Sequence, residues 1–199
     1  MNRALVFFLV LLSLVLPTQH GDASSHGMEG LSETGCSCHG EQAEGTSVSV
    51  QGIPSTYTPG NAYRLTVSIS GGPDAAAQGH TGGFNLKASE GLFSPVDTST
   101  HVLTPGEITH EHSGANQRSW TVEWVAPLND NEVVFTVAGN AVDGDHQPTD
   151  GDDWGLAVYN STGQPLTFSE RVELHLPKLI AISLFVVPTL YLFRINRAK

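Results

Sequence analysis

The only two cysteines of the 199-residue chain stand one residue apart in Gly35-Cys36-Ser37-Cys38-His39-Gly40, with a histidine directly behind them. Thiolates and imidazoles hold copper and zinc, and the same pair of side-chain types attaches and ligates haem c. Cysteines this close beside a ligand-type imidazole read as chemistry rather than packing. Their neighbours Thr34, Gly35, Ser37, Gly40 and Glu41 are small or polar, which predicts a loop and not the apolar surroundings that buried cysteine usually keeps.

Three chemistries fit the motif. A Cys36–Cys38 disulfide suits an oxidising compartment, but it closes a very small ring and gives a strained, easily reduced bond. Covalent haem uses Cys-x-x-Cys-His, and Cys36-Ser37-Cys38-His39 is one residue shorter, tighter than the two vinyl groups normally meet. A bare copper or zinc ion takes the two thiolates, His39 and a further histidine. Thr109-His110-Glu111-His112 is the natural donor: residues i and i+2 of a strand share a face, so His110 and His112 can reach one ion. Haem iron also accepts an axial histidine from elsewhere in the fold, so His110 is the expected outside ligand for either group. Haem c and a copper or zinc ion both stay open. His80 and His146 are single loop histidines of the kind usually just exposed.

Asp143-Gly144-Asp145-His146 and Asp150-Gly151-Asp152-Asp153 supply the oxygen donors that calcium takes, without the spacing of an EF-hand loop. This acidic loop, Asp143 to Asp153, reads as a solvated turn, with calcium the ion it would accept. Asn160-Ser161-Thr162 is a glycosylation sequon. No Ser/His/Asp order, paired-carboxylate framework or phosphate loop stands out, so catalysis has little support.

The elements that must position these residues lie between two hydrophobic ends. Met1-Asn2-Arg3 and the apolar run Ala4 to Leu16, broken at Pro17, predict a signal peptide over residues 1–23, cleaved between Thr18 and Ser24. That run is roughly 13 residues, short of the ~20 that span a bilayer. Residues 174–193 are almost continuously apolar and precede Arg194, Arg197 and Lys199, which predicts one transmembrane helix with residues 194–199 as a basic cytoplasmic tail. The expected location is the cell membrane, single-pass, with the bulk of the chain extracytoplasmic. Residues 24–173 carry four cations against 19 carboxylates, a balance of −15 that repels nucleic acid and anionic headgroups.

Residues 24–45 have no hydrophobic periodicity, with Met28 and Leu31 the only large apolar residues, so something other than a core must hold them, and a bound metal or cofactor at Cys36, Cys38 and His39 is one candidate. Residues 46–173 suffice for one domain. There apolar side chains alternate: Val48 and Val50; Tyr63, Leu65, Val67 and Ile69; Phe84, Leu86 and Ala88; Trp120, Val122 and Trp124; Val133, Phe135 and Val137; Leu156 and Val158; Val172 and Leu174. Pro54, Pro59-Gly60, Gly71-Gly72-Pro73, Ala126-Pro127 and Gly163 punctuate them. Seven to nine half-buried strands in a two-sheet, all-β sandwich is the predicted architecture.

The cysteine motif, Gly52-Ile53-Pro54, Tyr57-Thr58-Pro59-Gly60, Tyr63 to Val67, Gly82-Gly83-Phe84, Thr109-His110, Trp120 to Pro127, Val134-Phe135 and Ala138 to Ala141 together resemble the secreted prokaryotic domains called choice-of-anchor V. Those domains look like the reelin-type, or Reeler, sandwich, and the resemblance covers roughly residues 34–160. It implies an immunoglobulin-like antiparallel β-sandwich, a surface anchor, and haem c at Cys36, Cys38 and His39, although the family motif is commonly Cys-x-x-Cys-His. It implies no reaction. The expected function is surface electron transfer with a redox protein partner. The alternative is a non-catalytic adhesion module that binds a surface ligand, with the cysteine segment as a structural clip.

Overall fold

A computed structural model describes residues 26–36, 42, 44–74, 79–145 and 151–173, together with 176, 177, 180, 182 and 186. The signal peptide, Cys38, His39, His146, Asp150, Leu174 and most of residues 174–193 lie outside the described residues. A four-residue helix, α1 (Leu31–Thr34), precedes ten strands. These are β1 (Thr46–Gln51), β2 (Thr56–Tyr57), β3 (Ala62–Gly71), β4 (Gly82–Ala88), β5 (Leu92–Pro95), β6 (Thr100–Thr104), β7 (Glu107–His110), β8 (Ser119–Val125), β9 (Glu132–Ala141) and β10 (Asp153–Gly163). They form two sheets, ordered β1-β3-β8-β5 and β2-β10-β9-β4-β7-β6. Every pairing is antiparallel except that of β10 with β2.

The alternation does what it predicts in β1, β3, β4, β8 and β9. Val48, Val50, Leu65, Val67, Ile69, Trp120, Val122 and Trp124 from one sheet meet Phe84, Leu86, Val133, Phe135 and Val137 from the other in a single core. Trp124 sits at its centre, edge-on to Tyr57 and Phe135 with ring centres 5.5 and 4.8 Å apart.

Two of the expected strands need correction. In β10, Leu156 and Val158 point outward, Val158 being 64% exposed, while Ala157 and Tyr159 pack on the core. Gly155 sets this phase: a side chain there would come within 2.8 Å of the Thr46 carbonyl, so the position that faces β1 must be glycine. Tyr159 then reaches across, its hydroxyl accepting the Val50 amide at 3.1 Å. Val172 is helical, because Thr167-Phe168-Ser169-Glu170 starts a helix over residues 168–173 with a capping box. Glu170 Oε2 accepts the Thr167 amide at 2.8 Å and Thr167 Oγ1 accepts the Glu170 amide at 3.4 Å. Among the described residues no helix is long and apolar enough to cross a membrane.

The pairings Thr46 with Gly71, Ser68 with Ser119, Gly82 with Ala141 and Asp153 with Ala141 gather the loops around residues 71–74, 79–82, 111–119 and 142–145 at one pole. Arg118 ties that pole together, donating to the carbonyls of Thr81, Gly71 and Pro73. At the opposite pole β10 ends and the helix at 168–173 begins, held by an Arg171–Asp130 ion pair of 2.8 Å.

Candidate metal or haem site at one pole of the sandwich

Residues 28–36 run as a strap over the outer face of the six-stranded sheet, where β4 and β7 turn Asn85, Glu107 and Thr109 outward. Asn85 Oδ1 accepts the Ser32 amide at 3.1 Å, and its Nδ2 donates to the Met28 carbonyl and to Glu107 Oε1, both at 2.7 Å. Glu107 Oε1 also accepts the Gly30 amide at 2.6 Å, and Lys87 pairs with Glu33 at 2.7 Å. A polar network thus fastens residues 28–36, where sequence alone makes a bound metal or cofactor one candidate for the holding.

The strap delivers Cys36 to a buried position, 6% exposed, against Ala138 and Trp154. Cys36 lies in a loop as expected, but its burial corrects the expectation that it lacks apolar surroundings. Gly35 makes the approach possible: its φ is 81°, and a Cβ there would fall on the Trp154 indole.

His110 and His112 do not share a strand face. β7 stops at His110, and a 3₁₀ turn, His112–Gly114, follows, closed by the Gly114 amide on the Glu111 carbonyl at 2.8 Å. His110 is 8% exposed, its Nδ1 accepting the Phe84 amide at 3.2 Å beside the rings of Phe84 and Trp120. His112 is exposed and stacks on His26, ring centres 5.5 Å apart, and His80 meets it edge-on at 4.8 Å. His101 pairs with Glu111 at 2.6 Å.

Burial drives the His110 imidazole down to about 4 from its ordinary 6.5, against the opposing pull of the Phe84 carbonyl, whose oxygen lies 3.3 Å from Nδ1 and favours the protonated ring. The unfolded chain takes up this proton near 6.5 and the folded chain resists until about 4. Its contribution to stability is therefore whole above pH 6.5 and is lost as pH falls toward 4, a cost of about 3 kcal/mol. Urea denaturation at pH 7.5 and 4.5 should show this loss in the native chain and a much smaller one in His110→Asn, whose amide oxygen can still accept the Phe84 N–H. An equal loss in both would count against burial of His110 as the cause.

In the acidic loop, Asp152 Oδ1 accepts the Asp143 amide and Asp143 Oδ1 the Asp145 amide, so these carboxylates cap backbone turns. Among the described residues, no group of three or more His, Cys, Asp or Glu is arranged as it stands to hold a metal ion. Sequence reading missed His26, Trp154, Asn85 and Glu107. Asn85 and Lys87 read as the solvent side of β4, and only the strap's path reveals that this side is covered. Gly35 next to Cys36 was the one local sign of a close approach.

No protein-family model matches the chain, and no curated protein does. Among solved structures it is similar to the reeler domain of human F-spondin, with a TM-score of 0.41 and 23% identity over 62% of this chain and 92% of that one. The Reelin-N domain of F-spondin is similar at 24% identity and a TM-score of 0.41, covering 63% of this chain and 90% of that one. A cohesin module from Clostridium perfringens ATCC13124 family 33 glycoside hydrolase follows at 12% identity and 0.40, over 60% of this chain and 96% of that one. The chain is an all-β, two-sheet sandwich that resembles Reeler domains.

Proposed function

We propose that the chain is a membrane-tethered, extracytoplasmic module of the choice-of-anchor V type that binds haem c or a copper or zinc ion at Cys36-Ser37-Cys38-His39 and serves electron transfer. The observation that carries this reading is the company Cys36 keeps. The strap fixes its thiol against Ala138 and Trp154 at the head of the motif, and two thiols followed directly by an imidazole in the sequence are a donor set suited to either group. Cys36 and Cys38 would carry the thioethers or bind as thiolates, with His39 as the adjacent ligand. Haem, when bound, supplies one-electron redox chemistry. His110 fits less well as the outside ligand, since Nδ1 is engaged by the Phe84 amide and only Nε2 remains.

The tether is supported by apolar helical residues left uncovered: Phe168 is 83% exposed, and Val172, Leu176, Ile180, Ile182 and Val186 are exposed as well. Lipid is the environment that suits such a surface. The charge balance of residues 24–173 argues against nucleic acid as partner. A second reading, an adhesion module with the cysteine segment as a clip, draws on Leu156 and Val158, which β10 turns outward.

In membranes from a host competent for haem attachment, the native chain is expected to carry one haem or one metal equivalent, and Cys36→Ala and Cys38→Ala to carry none. Haem bound by thioethers stays with the denatured chain on a gel, whereas a thiolate-bound ion is released on acidification because protons compete for sulfur. Full content in both variants ends the proposal, and colourless, metal-free native protein favours adhesion.

A further inference from the structure

The pole where β10 ends carries apolar side chains on its loops, and the helix over residues 168–173 leaves from among them. Leu92, Val125, Ala126, Pro127 and Leu128 line, with two glycines, an apolar cleft of about 380 Å³, and Leu92 is 55% exposed. We propose that this pole is itself a membrane-binding face: it rests on a phospholipid surface of zwitterionic headgroups, with Leu92 and Leu128 dipping into the interface. The proposal rests on the tethered reading given above and adds to it a second contact, made by loops instead of the helix.

Place is the first argument. The Gln164 amide donates to the Tyr57 carbonyl at 2.8 Å and Thr58 Oγ1 to Gln164 Oε1 at 3.1 Å, which seats the end of β10 against the loop that holds Gly60. The Gly60 amide donates in turn to the Pro127 carbonyl at 3.2 Å, and Arg171 pairs with Asp130 at 2.8 Å. The helix and the cleft are therefore neighbours at one end of the sandwich.

Reach is the second. Only Gln164, Pro165, Leu166 and Thr167 separate β10 from the helix, and the expected membrane span begins at residue 174. Residues 168–173 rise about 9 Å at about 1.5 Å per residue, and the headgroup layer is roughly 5 to 8 Å thick on each side of a bilayer. So short a connector holds the near pole at the headgroups, and any tilt of the helix brings it closer.

Composition is the third. A membrane interface accepts apolar tips and disfavours unpaired charge. The carboxylates that adjoin the cleft in sequence are engaged: Glu90 accepts Asn129 Nδ2 at 2.6 Å and Asn131 Nδ2 at 2.8 Å, and Asp130 is paired with Arg171. At the opposite pole the exposed tips are polar, His112, Ser113 and Asp145 among them. The −15 balance of residues 24–173 repels anionic headgroups, which selects zwitterionic ones. The apolar tips are also held in place, since Trp124 Nε1 donates to the Glu90 carbonyl at 3.1 Å and the Ala126 amide to the Asn61 carbonyl at 2.9 Å. Tips ordered in advance lose little freedom on binding.

The test uses the full chain reconstituted into phosphatidylcholine vesicles, with either plain or brominated acyl chains, because bromine quenches indole emission only at close range. Leu92→Trp and, in a second chain, Leu128→Trp are expected to lose emission in the brominated vesicles beyond the loss shown by the native tryptophans. Ser113→Trp, an exposed position at the far pole, should lose no more than the native chain. Where one of the two probes disturbs the fold, the other stands in for it. Vesicle flotation reads the tether separately. A chain that floats with the vesicles while neither Leu92→Trp nor Leu128→Trp is quenched beyond Ser113→Trp overturns this proposal and leaves the tether standing, whereas a chain that does not float overturns both.

Discussion

Trp120→Ala is expected to cost about 4 kcal/mol of stability, the middle of the range for removing a buried tryptophan. The side chain is 1% exposed in β8, with its ring 4.9 Å from Phe84 and 6.3 Å from His110. Truncation opens a cavity between the sheets that these rigid neighbours cannot collapse to fill. It also leaves the Gly114 carbonyl without its indole donor, so the turn that carries His112 loses its inner support. Trp120→Phe separates the two effects: it keeps most of the volume and forfeits only the hydrogen bond, for roughly 1 to 2 kcal/mol. Urea unfolding of both variants measures the costs, and a loss below about 1 kcal/mol for Trp120→Ala would show that Trp120 does not pack as described.

Asn85→Ala is expected to release the strap while leaving the sandwich folded. Its amide makes two bonds to residues 28–36 and a third to Glu107, and Glu107, 2% exposed, keeps only the Gly30 amide once the Asn85 amide is gone. An unsatisfied buried acceptor costs about 1 to 3 kcal/mol, and the lost bonds add to it. Most of this should appear locally. The Gly30 and Ser32 amides should exchange faster, the segment should become a protease site, and the Cys36 thiol should react with a thiol reagent in a chain with Cys38→Ser. Asn85→Asp keeps an acceptor for Ser32 but sets a carboxylate oxygen against Glu107 Oε1 and the Met28 carbonyl in place of the donor, so it should release the strap at least as fully at neutral pH. Unchanged exchange at Gly30 and Ser32 in Asn85→Ala would mean that something other than this network fastens the strap.

The sandwich was legible because its long strands bury one face, and burying one face writes a period of two. Leu65, Val67 and Ile69 or Trp120, Val122 and Trp124 could scarcely sit otherwise. β2, β5, β6 and β7 were harder: β2 is two residues long, and all four residues of β7 are buried, so no alternation exists to be read. β10 misled because its larger side chains, Leu156 and Val158, face outward while glycine, alanine and serine occupy much of the inner face. The site was legible only in its types. The cysteine motif could be seen, but contact between His26, His80 and His112 depends on three loops meeting, which no local pattern encodes. The strap was hidden for a similar reason: Asn85 and Glu107 look solvated until another segment is known to lie on them.

The two ends of β10 have a bearing on the proposed function. Trp154, against Cys36, lies near the start of the strand and Gly163 ends it toward the helix at 168–173, a run of nine residue steps, or roughly 30 Å at about 3.3 Å per step. If the proposed centre and tether both hold, the sandwich would act as an insulating stalk, with an aliphatic and aromatic interior between centre and bilayer. A carrier dissolved in the lipid would then be too far away to exchange electrons with the centre, and its partner would have to stand clear of the membrane, either as a diffusing protein or as a neighbour of comparable height.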